Sequence, residues 1–159
     1  MRILKALFIT FFAMFFGACG SEKTLVLNEP SPQIATMDLN GNAINLSDFK
    51  GKAIAMVFFK NGCEACVGLL PALDEIASER LAILAINASN SKDEIKELLE
   101  DMPLPKTHIL RDSLNITTQR FLVTMTPTVI LLDSSHIVRD RIIGAEDFNA
   151  IKSKLEAIL

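Results

Sequence analysis

The chain has 159 residues, half of them apolar, and a formal net charge of −3. That acidic balance gives nucleic-acid binding no electrostatic support, and the length suits one domain with a substantial core. Three cysteines are too few for a disulfide framework, so stability is expected to come from packing.

Residues 1–18 read as a targeting segment. Arg2 and Lys5 lie ahead of an apolar run, Ala6 to Phe16, broken only by Thr10. At about eleven residues this is short of the roughly twenty that a bilayer-spanning helix needs, and it reads as a signal peptide. Its removal takes Arg2 and Lys5 with it, leaving a mature charge of −5. Gly17 and Ala18 then precede Cys19, an arrangement that resembles the lipobox of bacterial lipoproteins, with Phe16 where that family most often has Leu. The resemblance implies acylation of Cys19 and a lipid anchor facing the periplasm. The alternative is ordinary cleavage near Ala18, with Cys19 an idle thiol. Gly20 and Ser21 lack the aspartate that often retains such lipoproteins at the inner membrane, a weak pointer to the outer one.

Residues 19–32, polar towards their end and carrying Pro30 and Pro32, read as a tether, and residues 33–159 as the folded domain. Strand-like runs at 33–39 and 43–46 flank Asn40-Gly41, a strong hairpin signal. Ala53 to Phe59 is continuously apolar, as a central strand covered on both faces would be. A helix is expected from Cys63 to about Glu79, with Pro71 in its interior. Leu81 to Asn87 reads as a second buried strand. Ser91 and Glu94 match a capping box opening an amphipathic helix that ends near Asp101. A short strand at 108–110 and a helix at 116–122 follow. Val129 to Asp133 and Ile137 to Ile143 read as an antiparallel pair, and Glu146 to Leu159 as a closing helix. This order gives an α/β protein with a mixed sheet covered on both faces.

The chemistry centres on Lys60-Asn61-Gly62-Cys63-Glu64-Ala65-Cys66. A C-x-x-C pair between a strand and a helix can hold a metal or a reversible disulfide. A structural zinc site needs about four ligands; Cys19 lies in a different kind of segment, and His108 and His136 are isolated from each other, which favours the disulfide. At the first turn of a helix, unpaired N–H groups and the helix dipole stabilise the Cys63 thiolate, making Cys63 the nucleophile. Cys66, three residues on, lies on the same helical face and resolves the mixed disulfide. Glu64 is expected to raise the Cys63 pKa, with Lys60 offsetting it in part; both could equally be solvated surface charges.

Gly62-Cys63-Glu64-Ala65-Cys66, Pro71 five residues later, and Thr126-Pro127-Thr128 before a strand ending in Asp133 together resemble a thioredoxin-fold protein. The leading hairpin, Leu46 to Lys52, and the extra helix and strand between Asn87 and Asn115 narrow the resemblance to the TlpA/ResA-like exported branch. It implies a thioredoxin-like sheet flanked by helices, with an N-terminal β-hairpin and a helix-strand insertion. It also implies that Pro127 is a cis-proline facing the disulfide and that the Thr126 backbone pairs with a bound client strand. Three positions depart from the family: Gly62 replaces an aromatic residue, Val57 the buried acid of thioredoxin, and Leu69 the ResA-like acid one turn past Cys66. The implied activity is thiol-disulfide exchange without cofactor or metal, by a membrane-tethered reductant supplied by an upstream thiol donor. Its clients would be exported proteins with disulfides, such as apocytochromes c or metal-site proteins. A thiol oxidase or isomerase is the alternative within the enzyme class, and a non-catalytic Cu(I)-binding module the alternative outside it. Peroxidase chemistry is disfavoured, because the proline and threonine expected ahead of a peroxiredoxin cysteine are absent before Cys63.

Overall fold

The structure is a computed structural model that describes residues 23–144 and 146–159. The signal-like segment and Cys19 lie outside these residues. In chain order the strands are β1 (Thr36–Asp38), β2 (Ala43–Ile44), β3 (Ala53–Phe59), β4 (Leu81–Asn87), β5 (His108–Arg111), β6 (Thr128–Leu132) and β7 (Val138–Ile143). The helices are α1 (Glu64–Ile76), α2 (Lys92–Asp101), α3 (Ile116–Arg120) and α4 (Phe148–Glu156), with a 3-10 turn at Leu46–Phe49. All seven strands form one sheet in the order β2-β1-β5-β4-β3-β6-β7. β3, β4 and β5 run parallel, and the remaining pairings are antiparallel. The hairpin at the start and the α2–β5 insertion are both present, as the resemblance implied.

β3 shows why its sequence is unbroken by polar residues. Every residue from Ala53 to Phe59 is buried, and the strand's alternation divides them between two cores. Ala53, Ala55, Val57 and Phe59 pack with Leu69, Leu70 and Leu73 of α1 and with Ile151 and Leu155 of α4. Ile54, Met56 and Phe58 point the other way, into a cluster with Leu46, Phe49, Phe121 and Leu25. A strand with helices or turns over both faces has no solvent side on which to place polar residues. Both cysteines belong to the first cluster, the one under α1.

Local signals set the helix starts. Ser91 Oγ accepts the Glu94 N–H at 3.3 Å while a Glu94 carboxyl oxygen accepts the Ser91 N–H at 2.7 Å, the expected capping box of α2. At the first hairpin, Gly41 takes φ +91° and Asp38 Oδ1 accepts the N–H groups of Asn40 and Asn42.

Two expectations are corrected. The helix after Cys63 stops at Ile76 rather than running towards Glu79, because residues 78–80 are needed to turn into the sheet. Ser78 and Leu81 exchange backbone hydrogen bonds, and the Ala53 N–H donates to the Arg80 carbonyl at 2.9 Å. The tether is also shorter on its domain side than residue 32. The Leu25 N–H donates to the Arg120 carbonyl at 2.8 Å, Asn28 and Glu29 exchange backbone bonds with Val138, and Pro30 bridges to Ile137. Asn28 to Ser31 thus pair with the entry to β7, at His136 to Val138, where the last strand of the sheet would otherwise leave backbone groups without partners.

Candidate active site

β3 delivers the chain to the site and a single turn reorients it. The Cys63 N–H donates to the Lys60 carbonyl at 3.3 Å, closing a turn in which Gly62 has φ +74°. Nothing lies within 4 Å of where a Gly62 Cβ would be, so backbone conformation, rather than crowding, is what calls for glycine there. Cys63 is the N-cap of α1, with extended backbone angles of −87° and 95°. Its carbonyl accepts from the N–H groups of Cys66, at 3.0 Å, and Val67, at 3.3 Å. Cys63 and Cys66 are joined as a disulfide, with their Cα atoms 5.3 Å apart. Cys63 is 8% exposed and Cys66 2%, so the first sulfur-bearing residue lies nearer the surface. Glu64, in the first helical turn, and Lys60 are both exposed.

The second wall comes from β6. Phe58 pairs with Thr128, so the residues just before β6 meet the chain just as it leaves β3. The Thr126–Pro127 peptide is cis, Pro127 is buried, and its carbonyl accepts the Gly144 N–H at 2.8 Å. Lys60 and Thr126, 66 residues apart in sequence, line one open cavity of about 220 Å³, together with Met125, Ser89 and Phe58. Val67, Met125 and Ile143 are apolar side chains half exposed to solvent: Val67 directly follows Cys66, Met125 directly precedes Thr126, and Ile143 pairs across from Thr128.

Other sequence candidates lie elsewhere. His108 packs edge-on against Phe49, ring centroids 4.8 Å apart, and His136 Nε2 lies 3.2 Å from the Phe49 carbonyl. Phe49 belongs to the core on the opposite face of the sheet from the cysteines. Val57 and Leu69 are buried in the cysteines' own cluster, so the positions of the two absent acids are apolar. The buried acids, among the described residues, are Asp74 and Asp112, and both have other work. Asp74 accepts from the Lys106 N–H and the Thr107 hydroxyl, tying α1 to the approach to β5. Asp112 accepts from both Thr117 and Thr118. No cluster of three or more His, Cys, Asp or Glu residues capable of holding a metal ion occurs among the described residues.

Three site residues were not legible in the sequence. Asn61, Asn87 and Asn90 meet beside the Cys63 turn: the Asn61 N–H donates to Asn90 Oδ1 at 2.9 Å, and Asn87 Nδ2 donates to the same oxygen at 3.2 Å. Asparagine is common in turns, so these residues carry no signal until the ends of β3 and β4 lie side by side.

The AhpC/TSA family is matched over residues 27–141. Thiol-disulfide oxidoreductase ResA of Geobacillus thermodenitrificans is 28% identical, the alignment covering 99% of this chain and 91% of that protein. Among solved structures, a thiol:disulfide interchange protein of the thioredoxin family from Chlorobium tepidum superposes with a TM-score of 0.72 at 17% identity, over 85% of this chain and 99% of that one. The pneumococcal exposed lipoprotein thioredoxin of Streptococcus pneumoniae gives 0.69 at 22% identity, over 79% and 98%. The seven-stranded mixed sheet is thus a thioredoxin-like fold. With its Cys63–Cys66 pair at the head of α1, the chain belongs to the AhpC/TSA family and is a thiol-disulfide oxidoreductase, similar in sequence to the ResA proteins.

Proposed function

We propose that this enzyme is a membrane-tethered reductant of the cell envelope, anchored through acylated Cys19 after removal of residues 1–18. Its clients are exported proteins whose disulfides must be opened, apocytochromes c or cysteine-bearing metal sites among them. The observation that carries the reading is the asymmetry of the disulfide: Cys63 caps the helix at 8% exposure while Cys66 lies beneath it at 2%. In the dithiol form, the Cys63 thiolate attacks one sulfur of a client disulfide; that bond breaks and the other client sulfur leaves as a thiolate. Cys66, deprotonated, then attacks Cys63 Sγ, forming the Cys63–Cys66 disulfide and releasing the second client thiolate. Two electrons pass to the client, and an upstream thiol donor restores the dithiol. Thr126 lies just beyond the Phe58–Thr128 pair that ends the β3–β6 ladder, where its backbone can pair with an extended client segment. The half-exposed Val67, Met125 and Ile143 supply apolar contact beside it.

Cys66→Ser is the decisive variant. It should accumulate reducible adducts with clients in a membrane extract, whereas Cys63→Ser should trap few. Adducts at haem-attachment cysteines support apocytochrome reduction, and copper-site proteins support a metallation role. Equal trapping by both variants overturns the assignment of the attacking cysteine. The reduction potential tests direction: near or below about −250 mV suits a reductant, and near −120 mV a strong oxidant. Failure of labelled fatty acid to enter the wild-type protein, or its entry into Cys19→Ser, rules out the anchor.

A further inference from the structure

We propose that Asn61, Asn87 and Asn90 form an amide bracket that holds the attacking cysteine in place while the disulfide is open, linking its reactivity to the inserted helix α2. The proposal rests on Cys63 being the attacking thiol.

Asn87 is the last residue of β4, paired in register with Phe59 at the end of β3, and is 1% exposed. Its side chain is fully engaged. Oδ1 accepts the N–H groups of Ser89, at 3.0 Å, and Asn90, at 2.9 Å, which shapes the turn into α2. Nδ2 donates to Asn90 Oδ1 at 3.2 Å and faces Asn61 Oδ1 at 3.5 Å. Asn61 is held at both donors. Its backbone N–H donates to Asn90 Oδ1 at 2.9 Å, and its Nδ2 donates to the Glu94 carbonyl in the first turn of α2 at 2.7 Å. Asn87 uses both ends of its carboxamide, Oδ1 as acceptor and Nδ2 as donor, whereas Asn90 contributes its Oδ1 as the shared acceptor.

Redox state decides how much the bracket matters. In the disulfide form, residue 63 is tied covalently to α1 through Cys66. Opening the bond removes that tie. Residue 63 then keeps its burial in the α1 core and the Cys66 and Val67 N–H bonds to its carbonyl, but the turn before it gains no packing from Gly62, which has no side chain and nothing around its Cβ position. The Lys60–Cys63 backbone bond remains, and with it the two bonds that fasten Asn61, the residue before Gly62, to Asn90 and Glu94. A fixed turn keeps the Cys63 sulfur over the helix N-terminus, where its thiolate is favoured. A loosened turn lets the thiol drift towards the behaviour of a free cysteine. Thiolate is then scarcer at neutral pH, attack slows, and the disulfide becomes harder to reduce.

The test compares Asn90→Ala with Asn90→Asp in the mature chain. Two readouts are needed: exchange of the Asn61 amide in each redox form, and the pH profile of Cys63 alkylation. Asn90→Ala should speed Asn61 exchange about fivefold to tenfold in the dithiol form, the scale of one lost hydrogen bond, and much less in the disulfide form. The alkylation profile should move to higher pH. Asn90→Asp keeps an acceptor for the Asn61 N–H and should restore amide protection. Equal acceleration in both redox forms, or an unmoved alkylation profile alongside faster exchange, makes the bracket ordinary structural packing and overturns the proposal. A wild-type dithiol in which Cys66 alkylates before Cys63 sinks the nucleophile assignment instead, a failure visible before any asparagine is changed.

Discussion

The charges around Cys63 are few and exposed, which makes their influence measurable one at a time. Glu64 stands in the first turn of α1, adjacent to the N-cap cysteine. Its carboxylate suits the positive end of a helix but opposes a neighbouring thiolate. Glu64→Gln should therefore lower the Cys63 pKa and make the reduction potential less negative, read by ultraviolet thiolate absorbance and by equilibration with glutathione. An unmoved titration would mean that the side chain points into solvent and tunes nothing. His108 offers a different measurement. Although the residue is exposed, its ring packs edge-on against Phe49 and is partly desolvated there, and this, with the positive charge of Lys52 adding to it, holds its pKa below the ordinary 6.5. The unfolded chain thus binds the proton more readily than the folded one, so stability is intact above about pH 6.5 and declines as pH falls through the window below it. The thermal midpoint of His108→Gln should fall less steeply over that window than the wild type's. Parallel profiles would exclude His108 as a source of acid sensitivity.

Among the elements, α3 is the one whose existence depends most on a single side chain. It has five residues, Ile116–Arg120, and its N-cap, Asn115, has a left-handed backbone at φ 56° and no side-chain capping bond. A helix this short is unstable alone. Asp112 substitutes for the missing cap: fully buried, it accepts the N–H groups of Thr117, at 3.2 Å, and Thr118, at 2.6 Å, and the Thr118 hydroxyl at 2.7 Å. The chain continues from α3 through Met125 to Thr126, so this carboxyl group anchors one end of the segment that carries the cis peptide. Asp112→Ala leaves one buried and two partly buried donors without their acceptor and should cost about 2 kcal/mol or more, seen as a lowered denaturation midpoint. It should also slow reduction of peptide disulfides beyond any loss of folded protein. A variant as stable as the wild type would show that water or a neighbouring carbonyl replaces the carboxyl group.

At the scale of the whole molecule, the N-terminal segment joins the fold to its proposed anchor. Leu25 is 8% exposed in the core with Phe121 and Val138, and Asn28 to Ser31 pair with the entry to β7. Leu25→Ala should destabilise the domain by about 2 kcal/mol, near the low end for a buried leucine, because its site is at the rim, where neighbours can relax. If Cys19 carries the lipid, only residues 20–24 separate the anchor from the first buried contact. At about 3.3 to 3.6 Å per extended residue, the domain then stays within roughly 20 Å of the membrane surface. Inserting several Gly-Ser repeats between Ser21 and Lys23 should leave the thermal midpoint unchanged while altering which membrane-bound clients Cys66→Ser traps. A fall in the midpoint would mean that the residues before Leu25 also contribute to the fold.

Sequence alone was enough wherever the signal is local. Uninterrupted apolar runs marked β3 and β4, Ser91 and Glu94 marked the start of α2, and the spacing of Cys63 and Cys66 marked the chemistry, because strand alternation, helix capping and a C-x-x-C ring each involve residues a few positions apart. Ile76 as the end of α1 was not marked, since Ser78 to Arg80 leave the helix to bond with Leu81 and Ala53. Pairings between distant residues belong to the tertiary structure. Lys60 meets Thr126 across one cavity, Asn61 donates to Asn90, and Leu25 bonds to Arg120 while Asn28 bonds to Val138. Isolated residues such as these have no periodicity to betray them, and a segment with two prolines reads as linker until His136 to Val138, at the entry to β7, supply the backbone partners that turn it into part of the domain.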